Sequence, residues 1–92
     1  MNTKFEEEII NETDQTNPYQ LIVHNDDVNT FDWVIETLVA ICKHTYEQAE
    51  QCSLLIHLKG KYAVKYGPYS VLKPMREAIV ERNIGATIEP ID

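Results

Sequence analysis

The chain has 92 residues, 43% of them apolar and 25% charged, which is room for one domain with one modest core. Its net charge of −7, with only eight Lys and Arg, argues against a nucleic-acid partner, because neutralising phosphates takes clustered cations. No apolar run approaches the roughly 18 residues needed to span a bilayer.

The first 17 residues, MNTKFEEEIINETDQTN, hold five acids and one Lys, so more than half of the net negative charge sits there. Few apolar residues, no sustained period and the cluster Glu6, Glu7 and Glu8 predict a flexible acidic extension over 1–17, ahead of a domain over 18–92. This start lacks a basic n-region, an apolar core and a small-residue cleavage site, so a cytoplasmic protein is expected. Pro18 closes the extension. YQLIVH then alternates, with Tyr19, Leu21 and Val23 on one side and Gln20, Ile22 and His24 on the other, as in a strand with one buried face.

The strand ends at the polar stretch NDDVN. Asn29, followed three residues later by Asp32, reads as an N-cap, and Phe31, Val34, Ile35, Leu38 and Cys42 repeat at helical steps, giving a first helix from about Thr30 to Lys43. A capping box in TYEQ, Thr45 to Gln48, opens a second helix to about Leu58, where Lys59 and Gly60 supply a stop. Its inner face can use Ala49, Cys52, Ser53, Ile56 and His57. Cys42 and Cys52, without any C-x-x-C, read as two reduced, packed thiols.

KYAVKY alternates Tyr62, Val64 and Tyr66 against Lys61, Ala63 and Lys65, a strand with one solvated face. After Gly67 and Pro68, the residues Val71, Leu72, Met75, Ala78 and Ile79 give a third amphipathic helix. Pro74 inside this pattern lacks an N–H and its ring clashes with the preceding turn, so the regular helix is expected to begin near Pro74. IGATIE, with Ile84, Ala86 and Ile88 in register, is the last strand. The sum is an α+β domain, a three-stranded antiparallel sheet packed with three helices in the order β-α-α-β-α-β.

Asn25, Asp26 and Asp27 follow the first strand, and Ser53, Ile56 and His57 share one end of the second helix. Three uses of such a cluster stand open. Asp26, Asp27, His57 and His24 are chemically suitable for zinc or manganese, though their spacing matches no ligand motif. A carboxylate and His57 could serve as acid and base, though no nucleophile elbow or oxyanion sequence accompanies them. Alternatively, Asn25, Asp26 and Asp27 satisfy backbone groups in a turn and His57 is an ordinary helix residue.

The stretches YQLIVHNDDVNTFDWVIETL, AEQCSLLIHLKGKYAV and ATIE, in that order and spacing, resemble the ClpS family, adaptors of the ATP-dependent Clp protease, from Tyr19 to Glu89. The resemblance implies a binding protein and not an enzyme, with no cofactor and no metal. It implies recognition of N-degrons, substrates exposing Phe, Leu, Tyr or Trp as first residue, and their delivery to a Clp-family AAA+ unfoldase by a monomer that binds neither nucleic acid nor membrane. A domain of the same fold that binds other peptides, without a Clp partner, is the alternative. By family analogy Asn25 and His57 bind the α-amino group, Asp26 supports the ammonium and the nearby backbone, and Asp27 braces the turn. The resemblance assigns the side-chain cavity to Phe31, Val34, Ser53, Ile56 and Ile84. Phe31 and Ser53 stand where the family commonly has Met, and Asn29 where it has a capping Thr. Ser70 and Met75 stand where several relatives carry a Glu and a Lys that dock on the unfoldase.

Overall fold

A computed structural model of the protein describes residues 18–91, and the expected extension over 1–17 lies outside the described residues. The elements run β1 (Tyr19–His24), α1 (Phe31–Cys42), α2 (Tyr46–Lys59), β2 (Lys61–Gly67), α3 (Tyr69–Glu81) and β3 (Ala86–Pro90). The sheet has the order β2-β1-β3, with β1 antiparallel to both neighbours. The α+β class and the element order agree with the sequence reading.

As the central strand, β1 is buried more completely than its alternation suggests. Leu21 and Val23 enter the core, and Ile22 is also buried although it points to the other face, flanked by Ala63 and Thr87. The core forms where Leu21, Val23, Val64 and Ala86 of the sheet meet Ile35, Leu38 and Cys42 of α1, Ala49 and Ile56 of α2, and Leu72 and Ile79 of α3. Each fully buried aliphatic side chain contributes about 1.5–3 kcal/mol, so this cluster dominates the stability of so small a domain. Both cysteines are free; burial pushes the Cys42 thiol up to about 11, against the opposing pull of the Lys65 ammonium.

Four local expectations are corrected. The first concerns β2, where the register against β1 shifts between Leu21, opposite Lys65, and Ile22, opposite Ala63. Val64 is the extra residue of a β-bulge, which reverses the alternation beyond it. Lys65 therefore lies on the core side, where its Nζ donates to the Cys42 carbonyl at 3.1 Å, while Tyr66 turns outward and is exposed.

The second concerns the start of α1. Its N-cap is Thr30, whose hydroxyl accepts from the Trp33 N–H at 3.1 Å; Asn29 is engaged elsewhere. The capping box at Thr45 and Gln48 forms as expected, and Gly60 ends α2 with φ 90°, a left-handed conformation that costs glycine little.

The third concerns α3, which is continuous from Tyr69, five residues ahead of Pro74. The bond that Pro74 cannot donate is the one to the Ser70 carbonyl, and both residues are exposed, so water can serve that oxygen. Leu72 and Ile79, both fully buried, hold the two ends of the helix on the sheet and α1, and this packing outweighs the local cost.

The last strand starts at Ala86, later than expected. Ile84 precedes it, buried at 2% exposure, with its N–H donating to the Ile79 carbonyl at the end of α3.

Candidate functional site

The loop between β1 and α1 is built around one carboxylate. Asp26 Oδ1 accepts from the backbone N–H groups of Val28 and Asn29, both at 2.8 Å, and Oδ2 accepts from Asn29 Nδ2 at 2.7 Å. The bonds from Asn29, backbone and side chain, and then from Val28 hold the Asp26 carboxyl below its ordinary value of 3.8 against a small opposing effect of burial. It is Asp26, not Asp27, that braces the turn.

Two further contacts fix the loop on the domain. Asn29 Nδ2 also donates to the Asn83 carbonyl at 2.8 Å, and the Asn25 N–H donates to the Gly60 carbonyl at 2.9 Å. Asn83, with φ 68°, lies in the turn after α3, and Gly60 closes α2 three residues after His57. The first bond ties the loop to the α3–β3 turn; the second brings it to the end of α2. Beside it, Trp33 Nε1 donates to the Arg82 carbonyl at 3.1 Å while the Arg82 guanidinium lies 5.2 Å from the centre of the Trp33 ring. This pairing joins α1 to the end of α3 directly under the loop.

The loop, the first turn of α1 and the last turns of α2 enclose a cleft of about 470 Å³. Asn25, Asp26 and His57 line it together with Phe31, Val34, Ser53 and Ile56. Seven of the eight residues singled out in the sequence are thus brought to one cavity; Ile84 is in the core and is not among its lining residues. Asp27, Asn29 and Thr30 complete the lining. Of these, Asn29 is the residue whose role sequence reasoning missed, and the available signal was an amide three positions after Asp26 in a loop rich in Asn and Asp.

Chemically the cleft offers two carboxylates, two amides and an imidazole beside aliphatic and aromatic surface, and among the described residues no Lys or Arg lines it. Such a site favours a cation carried on an apolar body. Among the described residues no three of His, Cys, Asp and Glu are grouped so that they could hold a metal ion. His24, considered above as a ligand, faces away toward β3, its Nε2 at 2.9 Å from Thr87 Oγ1. A larger and more open groove of about 770 Å³ runs between α3 and the start of β3, but its lining mixes Arg76 with Glu77 and Glu81 and gathers no comparable acceptor set.

Residues 14–89 match the family described as ATP-dependent Clp protease adaptor protein ClpS. The chain belongs to the ClpS family. The match begins four residues ahead of the described part of the chain, inside the stretch assigned to the extension. Among curated relatives, the ATP-dependent Clp protease adapter protein ClpS of Shewanella pealeana is 36% identical over 66 residues, covering 72% of this chain and 65% of that protein. The corresponding protein of Acetivibrio thermocellus is 34% identical over 64 residues, covering 70% of this chain and 64% of that one. The chain therefore spans just under two thirds of the length of these relatives. Among solved structures, that of Agrobacterium tumefaciens ClpS2 bound to L-phenylalaninamide superposes with a TM-score of 0.76 at 18% identity, covering 82% of this chain and 98% of that one. This likeness supports the shared fold.

Proposed function

We propose that the cleft binds the first residue of a protein chain, and that this ClpS-family protein passes such substrates to a Clp AAA+ unfoldase as a monomeric cytoplasmic adaptor. The observation that carries the proposal is the convergence of Asn25, Asp26 and His57 with Phe31, Val34, Ser53 and Ile56 around one cavity. A free α-ammonium has three donors and no acceptor, so it needs converging oxygen or nitrogen acceptors. Asn25 and His57 serve it directly. Asp26, whose oxygens are already engaged by the loop, contributes its negative charge and the shape of the turn. The large first side chain, Phe, Leu, Tyr or Trp, enters the apolar part of the cleft, where burial is worth about 1.5–3 kcal/mol. The ligand of the Agrobacterium tumefaciens relative, an amino acid amide with a free amine and a phenyl ring, has this chemistry.

Fluorescence anisotropy with peptides that differ only at their first residue tests the reading. Phe, Leu, Tyr and Trp peptides should bind, and acetylating the amine should weaken them by at least about tenfold, the loss of one charge-assisted bond being about 1.5–3 kcal/mol. Equal affinity for the acetylated peptide would remove the amine pocket from consideration. Delivery has its own arm of the experiment. Deleting residues 1–17 should leave peptide affinity unchanged while slowing degradation of a Phe-initiated reporter by the cognate Clp protease; an unchanged rate would transfer the docking role to the folded domain.

A further inference from the structure

Among the described residues lining the cleft, one buried polar side-chain atom has no partner. Ser53 is buried at 3% exposure on α2, and its Oγ makes no hydrogen bond. A buried serine or threonine in a helix usually donates to the carbonyl four residues earlier, and Thr37 of α1 does so, its Oγ1 lying 2.8 Å from the Trp33 carbonyl. Ser53 has the Ala49 carbonyl at the same offset and does not use it. A hydroxyl left in this state is destabilising unless something pairs with it, and Ser53 lines the same cavity as Phe31, Val34 and Ile56.

We infer that Ser53 makes the cleft selective for first residues whose aromatic body carries a hydrogen-bonding group, tyrosine foremost; this rests on the amine-pocket reading above. The phenol O–H can both donate to and accept from the Ser53 hydroxyl, and the indole N–H of Trp can donate to it. A phenyl ring or a leucine fills the same space but leaves the hydroxyl unpaired in a dry pocket. A ligand that lacks the group is disfavoured because it leaves the buried hydroxyl of the site unpaired. Phe31 adds a ring from the first turn of α1 against which an aromatic ligand can set its edge.

The probes are otherwise identical peptides beginning with Tyr, Phe, or 4-methylphenylalanine, the last of which keeps the size of tyrosine without its hydroxyl. The full-length protein should bind the Tyr peptide about tenfold tighter than the other two, the usual worth of one buried hydrogen bond. In Ser53→Ala, a change that helix propensity favours, the three affinities should fall within twofold of one another. Tyr and 4-methylphenylalanine peptides binding equally well to the unaltered protein would overturn the inference while leaving the amine pocket standing, and this arm needs no variant to fold. A Tyr preference that persists in Ser53→Ala would also overturn it. Failure of every free-amine peptide to bind would remove both the pocket reading and the inference.

Discussion

Asn29→Ala separates the bracing of the loop from the groups proposed to touch a ligand. The Asn29 amide donates twice, to the Asp26 carboxylate at 2.7 Å and to the Asn83 carbonyl at 2.8 Å, and alanine removes both bonds. The two backbone bonds to Asp26 Oδ1 survive, so the loop should keep its turn but lose its tie to the end of α3. A bond to a charged acceptor is worth about 1.5–3 kcal/mol and a neutral one about 1 kcal/mol, but both acceptors lie near water and regain it, which brings the expected loss down to about 1–2 kcal/mol. For a domain of this size that is a fall in Tm of about 4–16 °C, readable by circular dichroism or calorimetry. The largest cause of the low Asp26 value, the Asn29 backbone N–H, survives the change, but the second, the Asn29 side-chain amide, is lost, so the carboxyl should titrate closer to its ordinary value in the variant, measurable by NMR. Affinity for a Phe-initiated peptide should fall about tenfold as the acceptors lose their common frame. If Tm, the Asp26 titration and peptide affinity all stay as in the unaltered protein, the brace carries no weight and the cleft is shaped by the helices alone.

Acidification should destabilise the domain through the same carboxylate. Its native value lies below the unfolded one, so its stabilising contribution is complete above about pH 4 and disappears as the pH falls through the native value; thermal melts of Asp26→Asn should show a shallower acid limb, and an identical limb would count against the assignment. Peptide binding should fall on the alkaline side of neutrality, as the ligand's α-amine, near 8, loses its charge; an affinity unchanged up to about pH 10 would count against the amine pocket. Pro74→Ala should raise stability by about 1–3 kcal/mol, since α3 is continuous through that position and alanine restores the donor to the Ser70 carbonyl; an unchanged or lower Tm would show that the proline ring is itself part of the packing.

Much of the fold was legible because its signals are local and mutually consistent. β1, α1 and α2 each combine a hydrophobic period with a cap or stop within a few residues, and their observed bounds differ from the sequence reading by no more than one position. The cleft was legible for a related reason. Its acceptors follow a strand end and its apolar residues repeat at helical spacing on the two helices that come next, so short connections bring them together. The bulge at Val64 was invisible, because YAVKY alternates without interruption and only pairing with β1 reveals the extra residue. At Pro74 the local penalty was legible but not its opponent, the burial of Leu72 and Ile79 on either side. Ile84 misled for a similar reason: it continues the alternation of Ala86 and Ile88, yet the turn after α3 turns it into the core before the strand begins.

The choice of cap at α1 shows where local information ends. Asn29 and Thr30 are both good N-caps, and each stands three residues ahead of a helical residue, so sequence offers no means to prefer one. What decides between them is the Asn83 carbonyl, 54 positions away, exposed by a residue that has left the helical conformation at the end of α3. Once that carbonyl and Asp26 claim the Asn29 amide, Thr30 is left to cap the helix. The consequence reaches the site itself: the turn that presents Asn25 and Asp26 is fastened at one side by Gly60 at the end of α2 and at the other by Asn83 at the end of α3. A first residue bound in the cleft would therefore rest on a loop whose shape depends on how the end of α3 is seated.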